Sequence, residues 1–399
     1  MANITQLKHL EHIEDEMLNY GVEGCHASVR AMKELLRMMG KKSKPFVQTK
    51  WDGAPSVVCG KDPVTGFFFV GTKSVFAKTE PKLCFNEDQI DGWYSGDLAE
   101  KLKFSLRYFS QLGIDGVVQG DLLFTTDKKK EKVEGEDLIT FRPNTITYGI
   151  PVDHVIGKKV DAAKIGIVFH THYEGDDLPT MVAKAGAPIH TFNQVKEVAV
   201  IDNDTPYHDI AVPKTTLATF DRHVQTIERM CAICGPFLNE LVDNMGTTGD
   251  KKFHVASFLK QFFNSEIKQA RTITNVQTTM KRLGSFYHEK MMKEIDKVKS
   301  DKAKTAKRML LYSGLEYIEQ HQREFNAMLA MYKKMQEAKQ LVIDQLDHLE
   351  TFRTYVQTSN GYRLTNPEGY VLHHNGDMIK LVNRIEFSYI NFTLSKEWK

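Results

Sequence analysis

Lys50 stands just after a short apolar run and directly before Trp51-Asp52-Gly53-Ala54-Pro55, which places one amine at the mouth of a turn. A lysine becomes a nucleophile when desolvation or nearby cations lower its pKa. Four other segments bring charge to similar places. Lys73, in Gly71-Thr72-Lys73-Ser74, follows the apolar run Phe67-Phe68-Phe69-Val70. Asp121 opens Leu122-Leu123-Phe124 after Val117-Val118, and Glu368-Gly369 opens Tyr370-Val371-Leu372 in the same manner. Lys380 lies inside Met378-Ile379-Lys380-Leu381-Val382, where a buried charge is costly unless an anion neutralises it. Cations and carboxylates projecting from several strands suit a triphosphate with Mg2+, the lysines facing phosphate oxygens and the acids holding metal or ribose.

The elements that position these residues follow from periodicity. Ile4-Leu7-Leu10-Ile13-Met17 and Val29-Met32-Leu35-Leu36-Met39 predict two short helices within a helical segment over 1–44. From 45 to 214, short β-rich runs separated by Gly, Pro, Asn and Asp predict strands, with one helix at about Ser95 to Gln111. Residues 215–358 read as helical almost throughout, and Pro236 is the only proline there. β texture returns over 359–399, too short a stretch for an independent domain. The helical block therefore reads as an insertion into one β-rich domain.

The chain has 399 residues, with 53 Lys+Arg against 51 Asp+Glu. No run reaches the roughly 18 apolar residues of a membrane-spanning helix, and the polar, acidic start does not read as a signal or transit peptide. Five sparse cysteines do not form a secreted disulfide framework, so a reducing, cytoplasmic setting is expected. The near-neutral sum hides a local field. Residues 251–310 hold 15 Lys+Arg against five Asp+Glu, a local net of +10, leaving −8 elsewhere. Lys290, Lys293, Lys297, Lys302, Lys304, Lys307 and Arg308 recur every few residues, as expected of a surface for nucleic-acid phosphates.

In order and content these segments resemble the covalent nucleotidyltransferase superfamily of ATP-dependent DNA and RNA ligases and mRNA capping enzymes, over 46–169 and 366–384. The resemblance implies an α+β fold, with antiparallel sheets and flanking helices, here carrying an all-helical insertion and no C-terminal OB-fold. It implies ATP and Mg2+ as cofactors and Lys50 as the lysine that takes AMP. Gln48 stands where ligases often have a glutamate that reads adenine. Asp52, Gly53 and Lys73 fall in nucleotide-binding motifs. Asp121 and Glu368 match metal-coordinating acids, Phe169 an aromatic that packs on the base, and Lys380 a contact to the α-phosphate. Val382 occupies the place of a usual second lysine, with Arg384 as a substitute. With its His9-Leu10-Glu11-His12 start and its Lys50-Trp51-Asp52-Gly53-Ala54-Pro55 and Phe141-Arg142-Pro143-Asn144-Thr145 segments, nearly the whole chain also resembles an uncharacterised tailed-phage protein family, which implies the host cytoplasm. The function so implied is an RNA-ligase-like polynucleotide ligase. A capping-type or protein-modifying transferase, or a non-catalytic phage nucleotide- or nucleic-acid-binding protein, is the alternative.

Other groups have simpler explanations. His170 and His172 share a strand face and, with His373, His374 or Asp121, could ligate a transition metal, although ligand-lining polar positions are commoner. Cys231 and Cys234 have CxxC spacing inside a helix and read as core residues. Arg142, in Phe141-Arg142-Pro143-Asn144, is a phosphate-binding or loop-ordering residue. The Met/Leu-rich run around Met328, Met331 and Met335 reads as helix packing.

Overall fold

The computed structural model describes residues 11–41, 47–205, 210–244, 255–349, 352–358, 361–374 and 377–388. Ile4, Leu7, Leu10, Phe46, Lys251, Lys252 and residues 389–399 lie outside these, as does the side chain of His374. The strands are β1 (Glu11–His12), β2 (Val47–Thr49), β3 (Ser56–Lys61), β4 (Phe68–Gly71), β5 (Val117–Phe124), β6 (Lys129–Val133), β7 (Glu136–Phe141) and β8 (Thr147–Pro151). They continue as β9 (Ile165–Glu174), β10 (Val182–Ala185), β11 (Val198–Ile201), β12 (Arg353–Thr358), β13 (Gly361–Leu364), β14 (Tyr370–His374) and β15 (Asp377–Leu381). The helices are α1 (Glu16–Met38), α2 (Glu87–Trp93), α3 (Gly96–Phe109), α4 (Val155–Ala162) and α5 (Lys214–Asp243). The last four are α6 (Ala256–Lys268), α7 (Val276–Lys297), α8 (Asp301–Gln320) and α9 (Gln322–Leu346).

The fold is mixed α and β, with mostly antiparallel sheets. Sheet A runs β1-β15-β14-β2, sheet B runs β10-β9-β5-β3-β4 with β11 on β9, and sheet C runs β13-β12-β8-β7-β6. Two pairings close the chain on itself: β14 lies antiparallel to β2, and β12 to β8. Helices α5 to α9 therefore lie in sequence between strands that share sheets.

Each sheet buries a different apolar set. Tyr370, Leu372, Ile379 and Leu381 of sheet A join the large core of the helical block, including Phe325, Met328, Met331 and Met335. Val57, Cys59, Val118, Leu122 and Phe169 of sheet B pack under α3 through Leu102 and Phe109. Trp51, Phe141, Tyr148 and Phe352 form a third core at sheet C. Sheets A and B thus each have one face on helices, and their other faces supply the walls of a cavity.

Several sequence expectations need correction. The first predicted helix is, over its described part, strand β1 and a 3-10 turn at Ile13–Asp15, with helix beginning at Glu16. The apolar period was real, but His12 pairs in parallel with Lys380, and sheet pairing overrides local propensity there. The two helices expected before residue 44 meet at a kink within α1, with Gly21 at φ +60°. Asn239 of α5 approaches so closely that a Cβ at Gly21 would meet its Oδ1 at 2.1 Å. That oxygen accepts the Val22 N–H freed by the kink. The helical stretch ends by 349 rather than 358, because Arg353–Thr358 is β12. Helices α2 and α4 join the single helix expected between the strands. Among the described residues no helix is long and apolar enough to cross a membrane.

Candidate functional site

A cavity of about 290 Å3 opens between sheets A and B, lined by Gln48, Thr49, Lys50, Trp51, Ser56, Lys73, Gln119, Asp121, Val168, His170, Thr171, Asn203, Val371, Met378 and Lys380. Strand alternation explains this set. Along β5, Gln119 and Asp121 face the cavity while Val118 and Leu122 face α3. Along β15, Met378 and Lys380 face it while Ile379 and Leu381 enter the helical core.

Lys50 leaves β2 anchored by backbone: its N–H donates to Gly369 O at 2.8 Å, and Thr49 N–H to Asn203 O at 2.7 Å. Its Nζ bonds directly to Glu368 Oε1, while Glu368 Oε2 is buried without a partner. Burial favours the neutral amine, but Glu368, Asp121 and Asp52 outweigh it and raise the Lys50 pKa. Burial pushes Glu368 up to about 7 against the pull of Lys50. Asp121 also feels burial, yet His170, Lys50 and the Ser56 hydroxyl together hold it below the usual carboxylate range. Lys380 is lowered by burial and by the charge of Lys50. Lys73 is exposed and lines the same cavity. Three lysines thus face two carboxylates, one of them raised in pKa by burial. The space favours an anion.

Lys50, Gln48, Lys73, Asp121 and Lys380 are brought together around one cavity, with Glu368 bonded to Lys50. Other expected residues do different work. Asp52 is not a lining residue. Its carboxylate accepts from Asn144 Nδ2 (2.7 Å), Thr145 N (2.7 Å) and Ile146 N (2.9 Å), and its own N–H donates to Tyr148 Oη at 2.6 Å. It pins the 142–146 loop beside the 51–55 turn. Gly53 makes room for β5: a Cβ there would meet the Asp121 Cβ at 2.6 Å. Gln48 faces the cavity, but its Oε1 accepts from His373 Nε2 at 2.9 Å and its Nε2 donates to Asp204 at 3.1 Å.

Phe169 turns away from the cavity and is buried between Phe109 and Phe192, at centroid distances of 5.8 and 5.5 Å. A one-residue alternation decides this, placing Val168 and His170 on the cavity side instead. Pairing of β9 with β5 skips a residue between Phe169 and Thr171, a bulge that puts His170 and Thr171 both on the cavity. Arg384 does not substitute for the missing lysine. It is buried and bonded to Asp15 at 3.2 Å, Tyr332 at 2.9 Å and Asn264 at 2.5 Å. Val382 is buried in the core with Trp51.

Sequence reasoning missed Ser56, Gln119, Thr171 and Asn203 as lining residues and Tyr148 as a support. His170 lines the cavity, the commoner of the two readings its sequence position allows. Its Nε2 lies 3.5 Å from Asp121 and its Nδ1 2.8 Å from Thr171 Oγ1. His172 bonds Gly186 O, and among the described residues no group of three His, Cys, Asp or Glu is arranged for a metal. Arg142 orders its loop through Asn144 O and Gln357. Cys231 and Cys234 are buried on α5 in the helical core. In the basic segment Lys293, Lys297, Lys302 and Arg308 are exposed. Lys290 and Lys304 are half-buried, with Lys290 lying over Phe286, and Lys307 bonds Glu294 at 2.8 Å.

The chain belongs to a protein family of unknown function, DUF6267, whose family model matches residues 3–396. No curated protein and no solved structure matches it.

Proposed function

We propose that this protein is an ATP-dependent nucleotidyltransferase of the polynucleotide-ligase type, working through a lysyl-AMP intermediate. The observation that carries the proposal is the Lys50–Glu368 pair in a cavity otherwise charged by Lys73, Lys380 and Asp121. An amine nucleophile, two further cations and two acids are the groups that phosphoryl chemistry requires.

Lys50 Nζ, once neutral, attacks the α-phosphorus of ATP. A P–N bond forms, the bond to the bridging oxygen breaks, and pyrophosphate leaves with that electron pair. Lys50 becomes neutral by giving its ammonium proton to Glu368, whose pKa near 7 suits it to accept, and the proton released as the P–N bond forms leaves with pyrophosphate. Lys380 and Lys73 offset the charge that grows on the phosphates. Asp121 and the unpartnered Oε2 of Glu368 would hold Mg2+, which needs only one or two carboxylates beside phosphate and water. Bound there, the metal would supply positive charge beside the phosphates. AMP then passes to a terminal 5′-phosphate, and a 3′-hydroxyl displaces it to join the strand. On mixing with ATP and Mg2+, one pyrophosphate should be released per chain with AMP left on the protein. Neither pyrophosphate nor adduct, with ATP or GTP, defeats the covalent mechanism.

A second reading has its own support. Gln48, Asp52 and Phe169 are engaged within the protein, and Val382 replaces a lysine. A nucleotide-binding protein without transfer would show a thermal shift with ATP and no adduct.

A further inference from the structure

Helices α1 and α5 pack antiparallel through small residues. A Cβ at Gly21 would meet Asn239 Oδ1 at 2.1 Å, and one at Gly235 would meet Val22 Cγ2 at 2.8 Å. One turn beyond the Val22–Gly235 contact, this register sets Cys25 of α1 opposite Cys231 of α5. The Cys25 S–H donates to the Cys231 sulfur, with Met331 Sδ also 3.6 Å away. On the other side of Cys231, His26 Nε2 lies 3.8 Å from its Sγ. Cys25 is fully buried, whereas Cys231 is 6% exposed at the helix seam beside the exposed His26. The bond from Cys25 and the His26 ring lower the Cys231 pKa against the pull of burial. That same bond and burial raise Cys25. Cys59, Cys84 and Cys234 are buried as well, and burial raises each of them.

A thiolate at an accessible edge, beside a second thiol that keeps its proton, is the arrangement of a redox-active pair; core packing requires none of it. We propose that Cys231 and Cys25 are a peroxide-sensitive pair that closes reversibly to a disulfide between α1 and α5. The Cys231 thiolate attacks one oxygen of hydrogen peroxide; an S–O bond forms, the O–O bond breaks and hydroxide leaves. The Cys25 sulfur then attacks the Cys231 sulfur. The S–S bond forms, the S–O bond breaks, and the departing hydroxide takes the Cys25 proton to leave as water. Two electrons have passed from the thiols to peroxide, and a thiol reductant returns them. The CxxC spacing points to the wrong partner, because the resolving thiol comes from the other helix. None of these residues lines the ATP cavity, so the pair does not depend on transfer chemistry there.

The test is peptide mapping of the folded full chain, without ATP, before and after equimolar hydrogen peroxide, with remaining thiols blocked by iodoacetamide. The peptides containing Cys25 and Cys231 should be joined after peroxide, and dithiothreitol should separate them. Cys25→Ala should stop the reaction at a Cys231 sulfenic acid that dimedone labels, and Cys231→Ala should leave Cys25 unmodified. His26→Gln, a change at an exposed position, should slow closure several-fold by reducing the thiolate fraction of Cys231. The map of the unaltered chain needs no variant, so it decides the matter even where Cys25→Ala fails to fold. Free thiols at both positions after peroxide would overturn the proposal. So would a Cys231–Cys234 link in place of the expected one, or closure as fast in the urea-unfolded chain as in the folded one.

Discussion

Lys50 and Glu368, 318 residues apart in the chain, are joined as an ion pair at the cavity between sheets A and B. The pair holds the amine protonated, because Glu368, Asp121 and Asp52 together outweigh burial. In the proposed mechanism Glu368 takes a proton from Lys50 before attack. Glu368→Gln is expected to slow lysyl-AMP formation by about 10²–10³-fold in a single turnover, with ATP affinity changed only a few-fold. An unchanged rate would remove Glu368 from the chemistry.

The two remaining cavity lysines should differ in weight. Lys380 is partly buried and its charge is disfavoured there until an anion arrives. Lys380→Met should raise the ATP dissociation constant by about 10- to 100-fold, the scale of a lost hydrogen bond to a charged group. Lys73 is solvent-exposed, and Lys73→Met should cost only about fivefold or less. Isothermal titration would rank them; equal effects would contradict the assigned depths.

Asp52 acts through the loop it holds. Asp52→Ala strands the N–H groups of Thr145 and Ile146 and the Asn144 amide. A destabilisation of about 2–5 kcal/mol is expected, seen as a lower urea midpoint at unchanged m. A midpoint matching the unaltered protein would mean that the loop is held otherwise.

The parts legible in sequence were those with a strong period or a fixed order. Apolar β-rich runs bounded by turn residues marked β3, β4 and β5, and a stretch nearly free of Pro and Gly marked the helical block that holds α5 to α9. Lys50, Asp121 and Lys380 could be paired from the order of their segments, and all line one cavity. Phe169 could not be assigned a face. Residues 165–169 are buried on both sides, Phe169 in the core beneath α3 and Val168 in the core at sheet C, so no polar face marks the cavity side. The bulge that adds Thr171 has no sequence signature in a run of ordinary strand formers. Nor could Asp52 be separated from a ligand-facing acid, since its partners at 144–146 lie over 90 residues away and reach it only through tertiary folding. Arg384 was misjudged for the same reason, its partners being Asp15, Tyr332 and Asn264.

The helical block is tied to the N-terminal segment by the Lys339–Glu14 pair at 2.7 Å, with side chains 3% and 0% exposed. Removing one partner leaves an uncompensated buried charge, so Lys339→Met should cost about 3–5 kcal/mol. Lys339→Met with Glu14→Leu should recover most of that loss. A double variant as unstable as the sum of the singles would show no coupling.

His373 sets part of the acid stability. Burial lowers its pKa to about 4 from 6.5, so it contributes stability above pH 6.5 that is lost as pH falls toward 4. Glu368, raised to about 7, acts with the opposite sign and favours the folded state as pH falls from 7 to 4.5. His373→Gln keeps a donor for Gln48 and removes only the first effect. Its loss of stability between pH 7.5 and pH 5 should be smaller than that of the unaltered chain by about 2 kcal/mol. Parallel pH profiles from thermal melts would contradict the assignment.

The central claim is that Lys50 takes AMP, and adduct mapping tests it most directly. The protein is incubated with Mg2+ and ATP labelled at the α-phosphate, digested, and the labelled peptide sequenced by mass spectrometry. An acid-labile phosphoramidate is expected on the peptide containing Lys50-Trp51-Asp52-Gly53, absent with γ-label and absent in Lys50→Ala. Label on another residue, or label that survives Lys50→Ala, would contradict it.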